Sequence, residues 1–129
     1  MTTELRNKLY VLGQTVAGLS ITNFYYMVVP QNKTYPYAVY FEIIDSGSRD
    51  SETEFSDIPL QVSFYSKDLD EIETIAKAFR KKFNRGQNLF TGLVENLVYG
   101  MVFQFSKKAR LNKVYQIDQQ YLIQAEILI

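Results

Sequence analysis

The chain has 129 residues, 47% of them apolar and 22% charged, with fourteen basic side chains against fourteen acidic ones. That length holds one hydrophobic core, so a single domain over 1–129 is expected, and the balanced charge gives no overall field to draw the molecule onto nucleic acid or membrane. Neither cysteine nor histidine occurs. Their absence excludes disulfides, thiolate nucleophiles and Cys-ligated zinc, and removes the usual general base and the commonest metal ligand.

From Thr3 the spacing of Leu5, Leu9, Leu12, Val16 and Leu19 predicts one amphipathic helix, capped by Thr2 or Thr3 and with Gly18 near its end. Asn23 to Val29, NFYYMVV, is a β-branched and aromatic run that Pro30 stops. Tyr37 to Ile44 predicts a second strand, with Tyr37, Val39, Phe41 and Ile43 opposite Ala38, Tyr40, Glu42 and Ile44. A ten-residue polar segment, DSGSRDSETE, separates it from a third strand over Ile58 to Tyr65. Ser66 or Asp68 can cap the next helix, whose buried stripe is Leu69, Ile72, Ile75, Ala76, Phe79 and Phe83. Acids at its start and Arg80, Lys81, Lys82 and Arg85 at its end complement the helix dipole. Leu97, Tyr99, Met101, Phe103 and Phe105 alternate in a fourth strand, where Gly100 hints at a bulge. KKARLNK is assigned to the hairpin turn that follows, and Val114 to Ile129 to the last strand. The expected fold is α+β: two helices and a mixed, mostly antiparallel sheet of four to five strands, in the order α-β-β-β-α-β-β.

No phosphate-binding loop, zinc-binding helix or nucleophile elbow is present, so no catalytic, cofactor-binding or metal-binding residue is assigned and a non-enzymatic role is expected. Counted as a calcium loop from Asp45, the polar segment puts Gly47, Arg49 and Asp50 at positions three, five and six, where the pattern fails. Lys107, Lys108, Arg110 and Lys113 form a candidate weak DNA-facing basic patch without interleaved aromatics for base stacking. The N-terminal stretch MTTELRNKLYVLG has early charges and no long apolar run, so neither a signal peptide nor a membrane contact is expected, and folding in a reducing cytoplasm is. Ten Tyr and nine Phe stand out, because runs such as FYYMVV and YAVYFEII are apolar on both faces. Either one helix covers each face, or the tyrosines lie half-buried with their hydroxyls in water, or a neighbouring subunit supplies the second cover. The terminal AEILI is a candidate for pairing across subunits.

The opening helix, the YPYAVY strand, the polar segment, LQVSFYSKD running into DEIETIAKAFRKKF, and a final hairpin ending QQYLIQAEILI together resemble the small tail terminator or tail-completion proteins of long-tailed bacteriophages and prophages. The resemblance covers nearly the whole chain and is carried best by Tyr35 to Tyr40 and Gln61 to Asp68. It implies a ring, usually of six copies, that caps the tail tube at the head-proximal end of the virion and offers a surface to the head connector, with DNA only passing through. It implies no cofactor, and the host cytoplasm as the place of synthesis. Candidate contacts with a neighbouring subunit or the tube are Asp45, Ser48, Arg49, Asp50, Glu52 and Glu54 in the polar segment, and Tyr35 and Tyr40. Many such proteins carry basic residues in the final strand, where this chain has Gln119, Gln120 and Gln124. A neck component of similar size and a monomeric module enclosing a small apolar ligand among the tyrosines are the alternatives.

Overall fold

The computed structural model describes residues 1–43, 55–84 and 89–127. Seven elements follow in the expected order: α1 (Thr3–Gly13), β1 (Phe24–Tyr26), β2 (Tyr37–Glu42), β3 (Phe55–Ser66), α2 (Leu69–Phe83), β4 (Asn96–Leu111) and β5 (Val114–Ile127). The strands form one mixed sheet, ordered β1-β2-β3-β5-β4, in which only the β1–β2 pair is parallel.

Directly opposite residues of an antiparallel pair project from the same face. The pairs Ala38 with Phe64, Tyr40 with Val62, and Leu60 with Tyr121 therefore define one face, and all six side chains are buried. Both helices cover it. Phe79 of α2 lies against Phe24, Phe64 and Tyr121, with ring centroids 5.5 to 6.2 Å away, while the Tyr40 hydroxyl donates to the Arg6 carbonyl of α1 at 3.1 Å. In the same layer the buried Gln119 donates to the Ala76 carbonyl at 3.0 Å and accepts from the Tyr121 hydroxyl at 2.7 Å, so its polar atoms are matched where water is excluded.

Each helix begins as its residue types dictate. Thr2 caps α1 by accepting from the Leu5 amide, and Asp68 caps α2 by accepting from the Asp70 and Glu71 amides. However, α1 ends at Gly13 and does not run on to Leu19 as the apolar spacing predicts. A Cβ at Gly13 would lie 2.2 Å from the Phe24 ring. The backbone is thus pressed onto β1, and Val16 and Leu19 reach the core from turns.

The run predicted over Asn23 to Val29 shortens to three paired residues, because Met27 takes φ 62° and turns the chain away. KKARLNK is not a turn. β4 continues through it to Leu111, and the reversal is made by Asn112 and Lys113 alone, both at positive φ (54° and 47°), the geometry of a two-residue hairpin. Nor is the terminal strand free for pairing across subunits: β5 hydrogen-bonds to β3 on one side and β4 on the other, Ala125 facing Ser56 and Val98. Leu128 and Ile129 lie outside the described residues. The exposed edges belong to β1 and β4.

Glu4 ties the start of α1 to the start of β4. Its carboxylate accepts from the amides of Val94, Glu95 and Asn96 at 2.9, 2.6 and 3.0 Å, and the Val94 bond above all holds its pKa below the ordinary 4.5. A depressed folded-state pKa contributes stability above the unfolded value, which is lost as pH falls through the folded one. Thermal melts from neutral to acid pH should show Glu4→Gln less stable at neutrality and with a flatter acid limb. Parallel acid limbs would contradict this role.

Candidate assembly surface

Among the described residues no helix lies over the other face of the sheet. Tyr25, Tyr37, Val39, Phe41, Pro59, Gln61, Ser63 and Tyr65 lie on it, followed across β5 by Gln116, Asp118, Gln120 and Leu122. Neither helix supplies the second cover, so one helix per face is not what forms, and Tyr25 and Tyr65 lie half-buried on this face.

At one end of this face the tyrosines pack on each other. Tyr37 stacks on its cross-strand partner Tyr65 at 4.7 Å between centroids, with Tyr35 at 5.5 Å and Tyr25 at 6.3 Å from Tyr37. Burial first, and then the three neighbouring phenols, pushes the Tyr37 hydroxyl up to about 12. Burial, and then the Asp118 carboxylate, raises Tyr65. Tyr37 and Tyr65 therefore stay protonated at neutral pH.

The middle of the face is a polar network. Ser63 donates to Asp118 at 2.6 Å, Gln116 donates to the same carboxylate oxygen at 2.9 Å, and Gln61 donates to the Ser63 hydroxyl at 3.0 Å. On β4 the face becomes apolar again. Register shifts between Val98 and Gly100, and between Phe103 and Phe105, change which residues point outward. Met101 and Phe103 therefore sit on the helix-covered side, while Leu97, Tyr99 and Phe105 are 43 to 50% exposed, and the five residues expected on one face are divided. The Tyr99 hydroxyl bonds Glu126 at 2.5 Å.

The candidate contact residues fare unequally. Tyr35 is exposed at the rim of the tyrosine cluster, 37% accessible. Tyr40 is 0% exposed in the core; its position in the alternation puts it under α1, and it has no surface to offer a partner. Asp45, Ser48, Arg49, Asp50, Glu52 and Glu54 lie outside the described residues. The basic patch is not one surface. Lys107 faces Asp118 across the hairpin, Lys108 pairs with Glu73 of α2 at 3.2 Å, Arg110 lies over the Tyr115 ring at 5.3 Å, and Lys113 is in the turn. A strand alternates its side chains between faces, so neighbouring charges in sequence diverge in space.

Tyr25, Tyr37 and Tyr65, with Lys33 and Lys67 beside them, were not singled out as a group by sequence. The signal that joins them is cross-strand register, which alternation within single strands does not contain. Two open recesses, of about 230 and 260 Å³, lie beside β1 and beside the tip of the β4–β5 hairpin. Both are smaller than the roughly 300–1,000 Å³ usual for a small-molecule site. Among the described residues no three acidic side chains gather as a metal site, and no helix is long and apolar enough to cross a membrane.

The fold is thus a two-layer α+β domain, with both described helices on one face of a five-stranded sheet and no described helix on the opposite face. No protein-family model matches the chain, and no curated protein matches it. Among solved structures it is similar to a chain of the "Virion of native gene transfer agent (GTA) particle", at 16% identity and a TM-score of 0.69, over 95% of this chain and 91% of that one. The likeness establishes a shared fold.

Proposed function

We propose that this protein is a virion structural component, a tail terminator whose copies close into a ring, of six by the resemblance, at the head-proximal end of a phage tail. The ring caps the tail tube, presents a surface to the head connector, and leaves DNA to pass without being held. The observation that carries the reading is the fold shared along nearly the full length of a chain from a gene transfer agent virion. The bare sheet face supports it. A stable contact buries about 800 Å² per partner, roughly a tenth of the 7946 Å² this subunit exposes, and a face of tyrosines and exposed Leu97 and Phe105 has the aromatic character of interface cores.

The test is sedimentation velocity and negative-stain imaging of the purified chain, alone, with tail tube protein and with head connector protein. Rings seated on tube ends are expected, with tube growth arrested. A chain that stays monomeric and leaves tubes uncapped overturns the reading. Rings that bind the connector but ignore the tube would move the assignment to a neck component.

A further inference from the structure

The tyrosine end of this sheet face carries two cations that have no carboxylate partner among the described residues. Lys33 Nζ lies 5.9 Å from the Tyr37 ring centroid and Lys67 Nζ 5.2 Å from that of Tyr35, and neither makes an ion pair among the described residues. The nearby acids are occupied: Asp68 accepts from the α2 amides and Asp118 from Ser63 and Gln116. Ammonium groups, phenol donors and ring faces side by side recognise carboxylates, and the ring faces also accept a guanidinium.

The chain contains a segment of complementary chemistry. DSGSRDSETE holds four carboxylates, Asp45, Asp50, Glu52 and Glu54, against the single Arg49, a net charge of minus three. We infer that the Lys33 and Lys67 tyrosine cluster docks the acidic segment 45–54 of a second copy of this chain.

The segment's own chain is poorly placed to supply it. Ile43 and Phe55 anchor the segment at one end of the sheet, and Tyr37 and Tyr65 mark the other, six and ten residues away along β2 and β3. At about 3.3 Å per residue these are roughly 20 and 33 Å. A backbone path leaving Ile43, touching the cluster and returning to Phe55 needs about 53 Å, while the twelve residue steps between those anchors span about 43 Å fully extended. A second molecule, free of that tether, meets the cluster without stretching the segment to its limit. Because the residues flanking the segment and the cluster lie at opposite ends of β2 and β3, repeating the contact head to tail generates a ring once the rotation closes.

The biological setting rests on the ring reading above, but the contact is measurable without it. A fluorescent peptide of residues 44–55 is titrated with the full chain, at low and high salt, by anisotropy. Binding to the native chain is expected, weakening with salt and falling at least about tenfold for the Lys33→Glu, Lys67→Glu chain or for a peptide with its four acids made amides. In the whole protein the same double reversal weakens self-association, and adding Asp50→Lys and Glu52→Lys restores it. Lys67 is exposed and Lys33 partly so, and an unchanged unfolding midpoint serves as control. Peptide binding that ignores the reversal, no binding at low salt, or preferential capture of single-stranded oligothymidylate by the cluster each overturns the inference. Rings that form normally from the reversed chain overturn it and leave the ring reading standing. A native chain that binds peptide but never forms rings does the opposite.

Discussion

Phe79→Ala should cost about 3–5 kcal/mol, the largest single loss expected in this chain. The side chain is fully buried and stands where the two layers meet, with Phe83 at 4.4 Å, Phe64 at 5.5 Å, Tyr121 at 5.9 Å and Phe24 at 6.2 Å between ring centroids. Truncation removes the buried ring and leaves a cavity walled by other rings, which are slow to collapse into it because each is fixed by its own strand or helix. Against a total stability of roughly 5–15 kcal/mol for a domain, the variant should unfold at markedly lower urea with an unchanged slope. Phe105→Ala is the matched control. Phe105 is 50% exposed on the bare face, and its truncation should stay within about 0.5 kcal/mol while weakening any contact that covers that face. Equal losses from the two substitutions would show that the division into a packed and an unpacked face is wrong.

Gly18→Val should be nearly as damaging, by a different route. Gly18 has φ +92°, which an L residue adopts only at a cost and a β-branched one scarcely at all. A Cβ there would also lie 2.6 Å from Ile75 Cγ1 and 2.9 Å from its Cδ1. Backbone strain of about 1–3 kcal/mol and overpacking of about 1–3 kcal/mol combine. Trimming Ile75 to Ala in the same chain relieves the second cost but not the first, so a double-mutant cycle should show a favourable coupling of about 1 kcal/mol or more. A Gly18→Val protein with the native urea midpoint would contradict the glycine's geometry.

The order of elements was legible because hydrophobic period and capping are local. Thr2, Asp68 and the stripe from Ile72 to Phe83 declare their helices in a window of a few residues, and Ile58 to Tyr65 declares its strand by strict alternation. What sequence misread depends on contacts between distant residues. The end of α1 is decided by Phe24 coming to lie on Gly13, although Val16 and Leu19 continue the apolar spacing and are indeed buried. The charged run Lys107 to Arg110 resembles a turn by composition, yet β5 offers it a full set of backbone partners and it remains strand. The two irregularities in β4 redirect Phe105 and Met101 to opposite faces, an outcome that Gly100 marks at one place and nothing marks at the other. The tyrosine cluster is assembled by register among three strands and one connection, so no single segment announces it.

Asn84, at the C-terminal cap of α2, accepts a hydrogen bond from the outward amide of Phe103 at 3.0 Å. β4 is sixteen residues long and lies at the margin of the sheet, and a margin of that length is a template onto which stray chains add strand by strand. The asparagine occupies a rung near its middle, beside the Phe103 to Phe105 irregularity, and the cations of Lys107, Lys108 and Arg110 guard the stretch beyond. No uninterrupted ladder longer than about half the strand is left on offer. A stray strand that adds along this margin therefore meets a ladder already broken near its middle, which shortens the template that edge-to-edge fibre growth needs.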